Sequence, residues 1–162
     1  MPDLKEKTCC FAGHGAYPPA VGAALRSRAE RIIRELYERG VIYYGCGGAA
    51  GFDTLMAQIC FSLRESGCCP RMKVILVYPF DGFNRRWTMP QQQTFHDLLG
   101  RYDKVVRLCK GPDYYARMMR NRYLVDRSGY CVAYCVETDG AAAATLAYAQ
   151  RKGLEVINLA EG

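Results

Sequence analysis

Hydrophobic and polar residues change period along this chain in a regular order. Short apolar runs alternate with stretches in which apolar residues recur every three or four positions. The first run is KTCCFAG, Lys7 to Gly13. After a Pro-Pro turn, Val21, Leu25, Ile32, Ile33 and Leu36 recur at helical spacing, which predicts a helix with Arg26, Arg28, Glu30, Arg31, Arg34 and Glu35 on its solvated faces. Gly40 ends that helix, and VIYYG makes a second strand that runs into the glycine-rich stretch GCGGAAG. A helix from about Gly51 to Glu65 then buries Phe52, Leu55, Met56, Ile59, Cys60 and Leu63. KVILVYP is apolar almost throughout, as expected of a central parallel strand covered on both faces.

Beyond it the loop FDGFNRRWTMP leads to a short helix near Gln91 to Leu99. DKVVRLC, YCVAYCVE and EVINL supply three more strands, separated by helices over YYARMMRNRYLVDRS and AAAATLAYAQRKG. Six strands alternating with five helices predict an α/β fold: a Rossmann-like, doubly wound, mostly parallel sheet forming a single domain over residues 1–162.

Composition adds limits. Half of the 162 residues are apolar, enough for one real core, and no apolar run reaches membrane-spanning length. The first residues, MPDLKEKTCC, lack the order of a secretory signal, so the expectation is a soluble cytoplasmic protein with no membrane partner. Nine cysteines are an odd number and fall mainly in apolar runs, which fits reduced thiols acting as small hydrophobes. With Cys-Cys and Cys-x-x-x-Cys spacings and only His14 and His96, no metal site is expected. The formal charge of +6, densest at Arg117, Arg120, Arg122 and Arg127, favours anionic partners without naming them.

In a doubly wound sheet, ligands bind beyond the carboxyl ends of the strands. Of the loops there, the glycine stretch is the most informative, because glycines let backbone N–H groups approach a phosphate and the next helix adds its positive dipole end. It has neither the Walker spacing nor Gly-x-Gly-x-x-Gly, so the glycines alone leave a phosphate cradle and a tight turn both open. Asp53, in the first helical turn, is either a cap or an acceptor for ribose hydroxyls. Arg117 and Arg120 share a helical face with Asn121 beside them, which suits phosphate or a solvated surface equally. His14 lies between Gly13 and Gly15 at the end of the first strand, as a structural or an acid/base group. Trp87 either stacks on a base or pins its loop to the core. No nucleophile elbow or Cys–His pair is visible, so no catalytic residue is assigned.

Taken together, CCFAGH, GCGGAAGFDTLMAQ, VILVYPF, MMRNRYLVDRSGYCVAY and AATLAYAQRKGLEVINL resemble the YpsA-type branch of the SLOG superfamily, which also holds the DprA and LOG proteins. The resemblance spans almost the whole chain. It implies a Rossmann-like domain that binds nucleotides or nucleotide-derived ligands between the glycine loop and the loop after the fifth strand. Gly47, Gly48, Gly51 and Asp53 would line that site with Arg120, Asn121 and Arg122, and Gly13, His14, Trp87 and Thr145 complete the candidate ligand-binding set. Two departures stand out. Gly15 replaces an arginine usual in the family, and Ala143 and Ala144 precede Thr145 where the family carries Gly-Gly-Thr, so positive φ there is lost. The glutamate that follows this motif in LOG enzymes is also absent, so LOG-like hydrolysis of nucleoside monophosphates would need another carboxylate, such as Asp53 or Asp126.

The expected function is therefore binding or sensing of a nucleotide-derived small molecule. A nucleotide N-glycosidase and DprA-like single-stranded nucleic-acid binding are the alternatives, and no cofactor is named. The partners left open are the small molecule first, nucleic acid second, and further copies of the chain.

Overall fold

The computed structural model describes residues 4–161. After a 3-10 turn at Leu4–Lys7, the chain alternates strand and helix to its end: β1 Thr8–Gly13, α1 Pro19–Glu38, β2 Tyr43–Cys46, α2 Phe52–Glu65, β3 Lys73–Tyr78, α3 Met89–Leu99, β4 Lys104–Arg107, α4 Ala116–Asp126, β5 Tyr130–Tyr134, α5 Ala141–Arg151 and β6 Glu155–Asn158. All six strands are parallel, in the order β4-β3-β2-β1-β5-β6. The expected Rossmann-like architecture is therefore present, with the predicted elements in their predicted order.

The order explains where a ligand could sit. From β1 the chain steps outward through β2 and β3 to the edge at β4, then returns across the sheet to place β5 on the other side of β1. The reversal falls between β1 and β5, whose pairing runs from Cys9↔Tyr130 to Gly13↔Tyr134.

Side-chain alternation divides the core into two layers. Cys9 and Phe11 point to the face covered by α1 and α2, with Ile33, Leu36, Phe52 and Met56 in the same cluster. Cys10 and Ala12 point to the other face, against Leu124 and Val125 of α4 and Ala149 of α5. Phe52, the first residue of α2, is fully buried and stacks near Tyr134 at 6.2 Å. It takes the space a side chain on Gly13 would need, since a Cβ there would lie 2.4 Å from its ring. The end of β1 is thus locked to the start of α2.

All nine cysteines are free, and only Cys68 is exposed. Burial pushes the thiols of Cys9, Cys46 and Cys60 well above their ordinary range, as expected of packing residues rather than reactive ones. Among the described residues, no helix is long and apolar enough to cross a membrane.

Candidate ligand site at the carboxyl edge of the sheet

The glycine stretch leaves β2 at Cys46 and enters α2 through Gly51, which has φ +79°. Only glycine fits there: a Cβ would lie 2.3 Å from the Gly15 carbonyl group. The Phe52 amide donates to the His14 carbonyl oxygen at 3.1 Å, so the first N–H of α2 is engaged by the loop after β1. His14 also reaches across the topological reversal, its Nε2 accepting from the Val136 amide at 3.0 Å while its ring packs edge-on against Tyr134. Nε2 is thus an acceptor here, and the imidazole ties the β1 and β5 loops together. The loops after β1, β2 and β5 form one bonded unit.

Behind that unit runs a chain of buried polar contacts. The Arg120 side chain is buried, with 5 % of its surface exposed, and its Nη1 donates to the Gly47 carbonyl oxygen at 2.6 Å. Its Nε donates to Asn121 Oδ1 at 2.8 Å, Asn121 Nδ2 donates to Thr145 Oγ1 at 3.1 Å, and Thr145 Oγ1 donates to the Ala141 carbonyl oxygen at 2.9 Å. The glycine loop is thereby connected, one hydrogen bond at a time, to the first turn of α5. Arg120 and Thr145 are two of the three buried polar side chains among the described residues, and both are fully partnered within the network.

Asp53 closes the network from the other side. A Cβ on Gly47 would sit 2.9 Å from both Asp53 Oδ2 and Arg120 Cδ, so this glycine is clasped between carboxylate and arginine. Burial raises the Asp53 carboxyl to about 6, while the Arg120 charge and backbone hydrogen bonds from Ala49 and Gly47 pull it back down. Burial likewise lowers the Arg120 guanidinium, and the Asp53 charge opposes the fall. Asp53 makes no side-chain cap on α2, and its carboxyl braces the loop from within.

The open space lies on the far side of this wall, between α4 and α5. A cleft of about 480 Å³ is lined by Arg117, Arg122, Asn121, Thr145, Gly140 and Tyr148, together with neighbouring positions of the two helices. Gly140, at φ +95°, turns the chain into α5, no side chain caps the helix there, and Gly140, Ala141 and Ala144 bring its first turn to the cleft. The Arg122 guanidinium lies over the Tyr148 ring at 4.8 Å. Arg117 donates from Nη2 to the Phe83 carbonyl oxygen at 3.1 Å and spans the Phe80 ring at 5.4 Å. Chemically the cleft joins a helix N-terminus, two arginines, an amide, a hydroxyl and an aromatic face, a combination suited to a phosphate with an organic body. Among the described residues no carboxylate lines it. Asp126 accepts from the Tyr148 hydroxyl at 2.7 Å and pairs with Lys152 at 3.5 Å.

A smaller cleft, about 280 Å³, opens where Gly51, Thr54 and Gln58 meet Tyr17, Trp87 and Gln91. Trp87 is half-buried and packs edge-on against Phe83 at 5.5 Å and Phe95 at 6.0 Å, so it does pin its loop while its free edge borders this cleft. The candidate residues thus divide. Arg120, Asn121, Arg122 and Thr145 share the larger cleft, and Gly51 and Trp87 share the smaller. Gly13, His14, Gly47, Gly48 and Asp53 form the scaffold behind them, with Gly48 at φ +73° packed against Leu76 and Phe95. Ala143 and Ala144 lie within the first turn of α5, and the left-handed residue the turn needs is Gly140. Gly140 and Tyr148 were not singled out from sequence. Their signal was present in the helical spacing of Tyr148 from Thr145 and in a glycine directly before the alanine run.

Comparison with known proteins follows the same outline. The model of the YspA SLOG family matches residues 21–156. A UPF0398 protein of Shouchella clausii is 29% identical over 119 residues, 72% of this chain and 63% of that protein. One from Halalkalibacterium halodurans is 25% identical over 131 residues, 79% and 68% of the two chains. Among solved structures, DNA processing protein A of Helicobacter pylori, described for its single-stranded DNA binding mode, superposes with a TM-score of 0.63 at 14% identity, covering 94% of this chain and 64% of that one. Its counterpart from Streptococcus pneumoniae gives 0.64 at 17% identity, covering 94% and 50%. At these identities the structural likeness establishes the fold. The chain spans less than two thirds of the Shouchella relative and of both solved structures.

Proposed function

This chain belongs to the YspA SLOG family, and from that premise we propose that its α4–α5 cleft binds a nucleotide or nucleotide-derived small molecule by its phosphate. The observation that carries this reading is the hydrogen-bonded chain from the Gly47 carbonyl through Arg120, Asn121 and Thr145 to the first turn of α5. It fixes the polar groups of the cleft before any ligand arrives, which lowers the ordering cost of binding. In this role the glycine loop is a support and the phosphate contacts belong to the α5 amides, Arg117 and Arg122. Tyr148, with Arg122, Arg151 and Lys152 over its ring at 4.8, 5.8 and 5.6 Å, gives the cleft an aromatic wall surrounded by cations.

With no carboxylate among the described residues of the lining, binding rather than N-glycosidic hydrolysis is the reading the cleft favours. A thermal-shift panel of AMP, ADP, NAD and ADP-ribose at millimolar concentration tests it. A ligand at 100 times its Kd adds about 2.7 kcal/mol to stability. Stabilisation by at least one phosphate-bearing compound, lost in Arg122→Ala, is the expected result, and no stabilisation by any of them contradicts the proposal.

One surface feature favours a second reading, single-stranded nucleic acid. Beside the cleft, at the start of α4, Tyr114 is 92 % exposed and packs edge-on against Tyr115 at 4.9 Å, with Met118 and Met119 also exposed. Aromatic platforms next to arginines are how unpaired bases are held without sequence preference. In this reading Tyr114→Ala weakens binding to an oligothymidylate, and affinity falls steeply with salt.

A further inference from the structure

A second cavity lies away from the carboxyl edge, on the sheet face that carries α4 and α5. Tyr43 and Gly45 of β2, Ile75 and Val77 of β3, and Lys104 and Val106 of β4 alternate along their strands. The register Gly45↔Ile75, Ile75↔Lys104 and Val77↔Val106 sets them side by side on one face. α4 packs over β1 and β3 and α5 over β1, β5 and β6, and neither packs closely over β4 at the edge of this face. Leu124 drops into the dip above Gly45, where a Cβ would lie 2.9 Å from its Cδ2. The turn Leu4–Lys7 closes one end. The result is a groove of about 430 Å³, within the range of small-molecule sites.

The two small hydroxyls in its wall, those of Thr8 and Ser128, are tied to the backbone. Thr8 Oγ1 donates to the Leu4 carbonyl oxygen at 2.6 Å and Ser128 Oγ to that of Leu124 at 2.7 Å. Lys104 and Arg127 stand at its rim, and among the described residues no Asp or Glu lines it. The Arg127 guanidinium carbon lies over Tyr123, 3.4 Å from the ring centre, and Nη1 donates to the Tyr123 carbonyl oxygen. Lys104 is exposed. A second copy docked face to face would add its own cations to the same rim and, from the described lining residues, no carboxylate to offset them. An apolar body with a negative head satisfies both the floor and the rim. We propose that this groove binds an anionic amphiphile, a small organic acid with an alkyl or aryl body.

Decanoate and its neutral analogue decanol are the probes, titrated by calorimetry against the full chain below the micelle concentration. The expected result is saturable one-to-one binding of decanoate, at least tenfold tighter than decanol. Reversing the two exposed charges in Lys104→Glu/Arg127→Glu should weaken decanoate at least tenfold while leaving the circular dichroism spectrum unchanged. Three results overturn the proposal: no saturable decanoate binding, equal binding of decanol, or binding indifferent to the charge reversal. Light scattering that finds a dimer which Val106→Asp dissociates also overturns it, since a second copy then covers the groove.

Discussion

Gly47 has Asp53 on one side and Arg120 on the other, and its carbonyl oxygen accepts from the arginine at 2.6 Å. Gly47→Ala must therefore displace one of them. The expected outcome is a folded protein whose nucleotide affinity drops at least tenfold, measured by calorimetry beside its melting temperature. Gly51→Ala is worse, because positive φ and a backbone collision coincide. A loss of roughly 3 kcal/mol or more in chemical denaturation is expected. Asp53 makes a pH prediction. Its folded value of about 6 lies above the ordinary 3.8, so the folded state binds this proton more tightly than the unfolded chain. The penalty of the buried charge is fully present above about pH 6 and disappears as pH falls toward 4. Stability of the wild type relative to Asp53→Asn should rise by roughly 2 kcal/mol between pH 7.5 and 4.5. Parallel pH profiles for the two proteins would contradict this origin of the shift.

The elements were legible because strand and helix differ in period, and a parallel sheet repeats that contrast six times. Their ends were less so. β2 is shifted to Tyr43–Cys46, since Val41, though buried, follows the Gly40 turn that precedes the strand, and β5 stops at Tyr134 where Cys135 begins to pair with Asn158. The site was legible as residues and not as orientation. Sequence spacing grouped Arg120 with its neighbours, but only packing shows that Arg120 bonds to Gly47 at the back of the cleft while Arg122 lies over Tyr148. The glycine directly before the alanine run was the available sign that Gly140 supplies the turn into α5. The link between α4 and α5 is testable. Asn121→Ala strands the Arg120 Nε and frees Thr145, which should cost about 1–3 kcal/mol in denaturation and loosen the cleft even though Asn121 lies remote from the glycine loop in sequence.

Across the whole molecule, the reversal of strand order between β1 and β5 collects three loops at one edge, and the net charge of +6 favours anionic partners in general. Salt separates the two kinds of anion. A mononucleotide held through one phosphate should weaken less than tenfold between 50 and 200 mM salt, whereas a strand crossing many phosphates loses on the order of a thousandfold or more. The location of binding is the central matter, and a nitrogen-15 chemical-shift titration with ADP-ribose or AMP reads it directly. Binding in the α4–α5 cleft predicts saturable shifts concentrated at Gly140 to Thr145, Asn121, Arg122 and Tyr148, with smaller ones relayed to Gly47. Shifts confined to other surfaces, or none at millimolar ligand, would contradict it.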